Sequence, residues 1–234
     1  MIYIIKKRTF VILCTLLCIL LVFQIPFYHM IHASVSKELK PGLNYMILVD
    51  CEIHTLYLFL DGEVVKKYSV ACGKKETPSP IGLWKVVNKA NWGEGFGGYW
   101  LGLNVPWGRY GLHGTLKPGS IGQNSSHGCI RMRNDNVREL YRLVSFGTEV
   151  LIINGSFGVF GKGFRNINPG ARGADVFAVQ KKLNQLGYKC GRPDGIYGEN
   201  MKRSIFKFQE DHGLPLSNTI TKTMLEKMGF IEFE

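Results

Sequence analysis

Apolar residues recur at two different periods along the chain, and the change of period divides it. Leu56, Leu58 and Leu60 fall at every second position, the spacing of a strand whose successive side chains leave on opposite faces. Residues 45–49 form another strand-like run. Asp61-Gly62 then supplies a two-residue hairpin turn, from which residues 64–70 return as a strand. Thr77-Pro78-Ser79-Pro80-Ile81-Gly82 marks a loop before a strand at 83–87, and the Gly-, Trp- and Tyr-rich stretch 90–110 reads as loops and short strands. One helix interrupts this β pattern. Val137, Leu140, Tyr141 and Val144 share a helical face, with Asn134 or Asp135 as N-cap and Gly147 as terminator. Residues 149–153 supply a closing strand.

After a glycine-punctuated connection the period becomes helical. Val176, Val179, Leu183 and Leu186 make one apolar face stopped by Gly187; Met201, Ile205 and Phe208 make a second; residues 220–228 make a short third. Pro193-Asp194-Gly195 is the turn between the first two. The predicted architecture is a mainly-β, sandwich-like domain at 44–154, a linker at 155–168, a three-helix all-α domain at 169–229 and a tail at 230–234.

The N-terminus predicts a compartment. Lys6, Lys7 and Arg8 precede an apolar run from Phe10 to Phe23, the pattern of a signal segment or a membrane anchor with its N-terminus inside. Ser34-Val35-Ser36 is a small-x-small cleavage site. That run is about the length of a signal-peptide h-region, while its extension through Ile25, Pro26, Phe27 and Tyr28 approaches a membrane span; the reading leans to an uncleaved N-terminal hydrophobic helix at 1–33, followed by a polar stalk at 34–43, and leaves cleavage open.

Charge changes the picture little. Among 234 residues, 29 are basic and 18 acidic, a net charge of +11 that suits a polyanionic partner. The basic residues are scattered, without a tract or zinc-finger spacing, so nucleic acid is not expected. Of the six cysteines, Cys14 and Cys18 lie in the apolar segment, while Cys51, Cys72, Cys129 and Cys190 are far apart with no CxxC. That spacing argues against a disulfide framework.

The chemistry concentrates in Ser126-His127-Gly128-Cys129-Ile130-Arg131-Met132, with His113-Gly114-Thr115 upstream. A thiol is a strong nucleophile only as thiolate, so it needs a base or a cation beside it. His113 can be that base, its other ring nitrogen held by a backbone carbonyl, and Arg131 can add positive field. In an extended strand Cys129 and Arg131 share a face while Ile130 and Met132 point to the core. The N–H groups of Gly128 and Cys129 can converge on one oxyanion.

These residues resemble the catalytic domain of the L,D-transpeptidases, whose signature is a histidine followed by Ser-His-Gly-Cys-x-Arg. The resemblance extends over Thr77-Pro78, Gly82 and Trp100-Leu101-Gly102-Leu103-Asn104. It implies a mainly-β fold, Cys129 as acyl-accepting nucleophile, His113 as general base, Gly128 and Cys129 with His127 as oxyanion donors, and Arg131 organising the pocket. Ser126, Gly114 and Trp100 become candidates for substrate contact. The resemblance also implies thioester transfer between peptidoglycan stem peptides, or hydrolysis of the thioester as a carboxypeptidase, with no metal or cofactor. The tail, through Gly173-Ala174-Asp175-Val176, Gln180, Leu186-Gly187-Tyr188, Asp194-Gly195-x-Tyr197-Gly198 and Phe208-Gln209, resembles a three-helix peptidoglycan-binding module. The combined expectation is a monomeric cell-envelope enzyme with peptidoglycan as partner and the membrane reached through its N-terminal segment.

Overall fold

The structure is a computed structural model and describes residues 39–93 and 96–232. The expected N-terminal hydrophobic helix and most of the stalk lie outside the described residues. Among the described residues, no helix is long and apolar enough to cross a membrane.

Nine strands make up the first domain: β1 (Tyr45–Asp50), β2 (Thr55–Leu60), β3 (Glu63–Gly73), β4 (Gly82–Gly93), β5 (Gly98–Leu103), β6 (Tyr110–His113), β7 (Asn124–Ser126), β8 (Ile130–Met132) and β9 (Glu149–Ile153). Every second residue of β1 and of β2 is buried, as the alternation predicts for strands with one face on a core. The β2–β3 hairpin turns on Asp61 and Gly62, at φ 53° and 84°, the left-handed pair that an Asp-Gly turn provides.

The strands run β2-β1-β9-β4-β5-β6-β8-β3-β7, and β3 also pairs with β2. That extra pairing closes the sheet on itself. The two longest strands make it possible: β3 pairs with β2 along its first part and with β8 further on, while β4 pairs first with β9 and then with β5. Each long strand therefore belongs to both layers, so the sandwich-like expectation becomes a closed barrel whose layers share two strands. Ile47, Leu56, Leu58, Leu101, Leu112, Ile130 and Met132 fill its interior.

Helix α1 (Asn134–Leu143) buries Val137, Leu140 and Leu143. Its ends differ from expectation. The N-cap is Arg133, without a side-chain cap; Asn134 is instead used across the chain, as described below. The C-terminus is not closed by Gly147. Lys89 Nζ donates to the carbonyls of Tyr141 and Val144, each at 2.6 Å, and lies over the Tyr141 ring. A cation there offsets the negative end of the helix dipole.

The second domain contains α2 (Ala174–Gln185), α3 (Glu199–Asp211) and α4 (Lys222–Lys227). Val176, Val179, Leu183, Met201, Ile205, Phe208 and Leu225 form its core; Leu186, expected on that face, is exposed. Residues 155–168 are less of a linker than their glycines suggest. Ile167 is fully buried in the helical core and bridges to Ile220.

The two domains are packed together, and Leu39–Glu234 form one unit. Ala174, Phe177 and Ile196 of the helical domain join the hydrophobic cluster of the β domain. Trp107 meets Trp84 edge-on at 5.2 Å and Phe177 at 5.9 Å between ring centroids. Gly195 lies so close to the Trp107 ring that a Cβ there would come within 2.2 Å of it.

Candidate active site

Strand register brings the two expected reactive side chains together. β6 and β8 run parallel, with Leu112 opposite Ile130 and His113 opposite Arg131. Leu112 and Ile130 point into the core, so His113 and Arg131 share the other face. Cys129 directly precedes β8, in the bend after Gly128, two residues before the strand partner of His113.

His113 is buried, and its Nδ1 bonds the carbonyl oxygen of Gly114 at 2.5 Å. A carbonyl only accepts, so Nδ1 carries the proton and Nε2 keeps its lone pair. Burial holds the imidazole pKa below its ordinary value, and the Arg131 charge pushes the same way, against the Gly114 bond. The ring is backed by aromatic side chains: Phe96 meets it edge-on at 5.0 Å, and Trp100 lies 5.8 Å away. Trp100 is itself stacked on Trp92 at 4.5 Å and buried. It therefore packs against the imidazole as part of this aromatic cluster.

Cys129 is half-buried, with Sγ 3.9 Å from the carbonyl oxygen of Arg109. Burial raises its thiol pKa, opposed by the Gly111 backbone and the Arg131 charge.

The loop before Cys129 is fixed by Ser126. Its buried hydroxyl accepts from the Gly128 N–H at 3.0 Å and donates to the Cys129 carbonyl at 2.5 Å. These two bonds make Ser126 a clamp on the loop, with its one donor spent on the Cys129 carbonyl. The same bond engages the Gly128 N–H, the expected oxyanion donor, at 3.0 Å. Gly128 is needed for another reason. Its φ is 110°, and a Cβ would lie 2.6 Å from the Tyr110 ring and 3.1 Å from the Pro78 carbonyl oxygen. His127 is exposed at the tip of the loop. The Ser126 carbonyl accepts from Lys74 N and from Thr77 Oγ1, which ties the Thr77-Pro78 segment beneath the loop.

Gly114 is also structural. A Cβ there would lie 2.5 Å from Asn134 Oδ1 and 2.7 Å from the Gly97 Cα. Asn134 Oδ1 accepts the Thr115 N–H at 2.8 Å, so the first residue of α1 pins the turn whose carbonyl orients His113. Sequence reasoning gave Asn134 only a capping role, and no local pattern reveals a bond across the chain. Tyr110 was also missed. Its ring fits between Gly108 and Gly128, and burial raises its phenol pKa, with the Trp107 indole N–H and the Arg172 charge opposing. The signal available was a tyrosine flanked by Gly108 and Gly111 beside the reactive histidine. Among the described residues, no group of His, Cys, Asp or Glu side chains is arranged to hold a metal ion.

Comparison with known proteins places both domains. A family model for the L,D-transpeptidase catalytic domain matches residues 44–152, and one described as "Putative peptidoglycan binding domain" matches 172–228. "Putative L,D-transpeptidase YkuD" of Bacillus subtilis (strain 168) is 45% identical over 111 residues, 47% of this chain and 66% of that protein. The chain thus spans just under two thirds of that relative's length. "Putative L,D-transpeptidase YqjB" of the same organism is 38% identical over 128 residues, 48% of this chain and 72% of that protein. Among solved structures, the catalytic domain of an E. faecium L,D-transpeptidase is 27% identical, with a TM-score of 0.42, covering 48% of this chain and 99% of that one. The chain belongs to the L,D-transpeptidase family, its catalytic domain followed by a peptidoglycan-binding domain.

Proposed function

We propose that this protein is a cysteine acyltransferase of the cell envelope that cross-links peptidoglycan stems through a thioester on Cys129. The observation that carries the reading is the pairing of the strand that ends in His113 with the strand that directly follows Cys129, with His113 Nδ1 bonded to Gly114 so that Nε2 is the basic atom.

Nε2 takes the thiol proton as Sγ attacks the carbonyl carbon joining the third residue of a tetrapeptide stem to its terminal D-alanine. A C–S bond forms, and negative charge passes to the carbonyl oxygen. With the Gly128 N–H committed to Ser126, the Cys129 N–H is the nearer donor for that charge, and Arg131 adds field from the same strand face. The imidazolium returns its proton to the amine as the C–N bond breaks, and D-alanine leaves. An amine of a neighbouring stem then attacks the thioester, forms a new C–N bond and releases the thiolate, which regains a proton. The product joins two third residues. Water in place of the amine gives the carboxypeptidase outcome with the same residues.

Gly114, Ser126 and Trp100 then serve by holding His113 and the Cys129 loop in place. The helical domain supplies affinity for the wall polymer, with residues 1–33 as the anchor. Incubating the purified full chain with tetrapeptide muropeptides and reading products by mass spectrometry tests the reading. Free D-alanine, a cross-linked dimer and an adduct of a carbapenem on Cys129 are expected. Cys129→Ala should lose at least about a thousandfold in turnover yet still bind wall polymer. Full turnover by that variant would remove Cys129 from the mechanism.

A further inference from the structure

A cation stands beside the nucleophile and the acyl-transfer steps leave it unused. Arg109 immediately precedes β6, and its carbonyl oxygen lies 3.9 Å from Cys129 Sγ. Its side chain reaches the end of β4, where the guanidinium carbon sits over the Trp92 ring, 5.7 Å from the centroid. Trp92 stacks on Trp100 at 4.5 Å, and Phe96 meets both indoles and the His113 ring edge-on. Arg109 thus touches the thiol through its backbone and, through its charge, the aromatic cluster that packs on the imidazole. Trp100 is buried, whereas Trp92 and Phe96 are 38% and 37% exposed. The cluster is therefore open to solvent at the ring that carries the cation.

Arg109 is itself exposed, and it makes no ion pair among the described residues. Cation–π attraction positions a guanidinium without consuming its N–H donors, which stay available to an anion. We propose that Arg109, held on Trp92, binds a carboxylate of the peptide whose carbonyl meets Cys129, and so selects free-acid stems over amidated ones. This rests on the acyl-transfer reading above and deepens it by naming a residue that sets specificity. A carboxylate loses water as it enters a cleft walled by indole and phenyl rings, and a fixed guanidinium with paired donors compensates for that loss. The carboxylate is that of the terminal D-alanine or one internal to the stem, and amidating each in turn separates the two.

The test is binding to the full-length Cys129→Ala chain, by calorimetry, of a tetrapeptide with free carboxylates and of versions amidated at one position. Binding needs no turnover, so it stays readable even if the acyl-transfer reading fails, and that failure would show separately as an inactive wild type. Adding Arg109→Gln, which removes the charge at an exposed position, should weaken the free peptide about tenfold without moving the melting curve. Arg109→Lys should recover part of that affinity, and the amidated form that lacks the recognised carboxylate should respond to neither change. With Cys129 restored, Arg109→Gln should raise KM for the free peptide and not for that amidated form. Trp92→Leu removes the platform and should weaken the free peptide while Arg109 is present, but add little once Arg109→Gln is in place. Equal weakening of every peptide by Arg109→Gln, or none, would overturn the assignment. A Trp92→Leu loss of the same size with and without Arg109 would overturn the platform.

Discussion

The Cys129 loop and the Asp194-Gly195 turn are built alike and used differently. Each carries a glycine with positive φ, Gly128 at 110° and Gly195 at 72°, pressed against an aromatic ring, Tyr110 and Trp107 respectively. Each is clamped by one buried polar side chain, Ser126 or Gln180, that satisfies backbone groups the bend leaves open. In the first case the clamp leaves a thiol facing a cleft. In the second it leaves bare backbone flush against a ring. The same device positions a nucleophile in one domain and joins that domain to its neighbour in the other.

Adding a methyl group to each glycine separates the two uses most sharply. Gly128→Ala meets the Tyr110 ring and the Pro78 carbonyl in a conformation that costs an L-residue about 1–2 kcal/mol before any clash. It should lower kcat at least about a hundredfold, since misplacing the reacting atom by about 1 Å costs that much. Gly195→Ala meets Trp107 closer still, yet it should spare kcat and act through thermal stability. Steady-state kinetics beside melting curves check both. An equal kcat loss in the two variants would mean that the turn and the loop are one functional unit.

Removing the clamps gives the next largest effects. Gln180→Ala strands the buried Gly195 N–H, at a cost of about 1–3 kcal/mol, and takes the acceptor from the part-buried Asp194 N–H as well. Ser126→Ala strands the Gly128 N–H and deprives the Cys129 carbonyl of its donor. Urea unfolding should show the larger loss of stability in Gln180→Ala and the larger loss of kcat in Ser126→Ala. The reverse ranking would break the division of labour.

A pH series tests the resting state of the cleft. The His113 pKa is lowered chiefly by burial, so the unfolded chain binds this proton more readily than the folded one. The resulting penalty is absent above the ordinary imidazole pKa of about 6.5 and grows as pH falls below it, until the folded pKa is passed. Stability should therefore fall between pH 7.5 and 5 more steeply in the wild type than in His113→Gln. Activity should also fall on the acid side as the base is protonated. Parallel melting curves for the two chains would show that His113 is not buried in its neutral form.

The sequence carried most of the strands and the division into a β domain and a helical domain, because those rest on local spacing: alternation at Leu56, Leu58 and Leu60, the Asp61-Gly62 turn, and two motifs with their flanks. What it could not carry was pairing across distance. Closure of the barrel depends on β3 and β4 each serving both layers, which no local period encodes. Ser126 reads as a motif residue, but its bonds to Gly128 and Cys129 depend on the bend of the loop. Trp100 stacks on Trp92 and packs against His113, contacts between elements that no local period encodes. Asn134 looks like a cap, since its bond to Thr115 spans two elements. Trp107 and Gly195, far apart in sequence, meet only because the domains dock.

The smallest expected effect lies where the two regions meet. The Tyr110 hydroxyl bonds the Trp107 indole, and its ring lies beside Gly128, so it belongs to both sides of the comparison. Tyr110→Phe keeps the ring and with it the packing against Gly108 and Gly128. The loss is one hydrogen bond, worth about 0.5–1.5 kcal/mol. If the hydroxyl only helps seat Trp107, turnover should stay within about threefold, since that energy is lost equally from free and bound states. The pH profile should keep its shape, because burial holds the phenol above its ordinary pKa and hence protonated where His113 acts as base. A kcat loss comparable to that of Ser126→Ala would instead place the hydroxyl among the groups that touch the reacting atoms, and Tyr110 would then join Cys129 and His113.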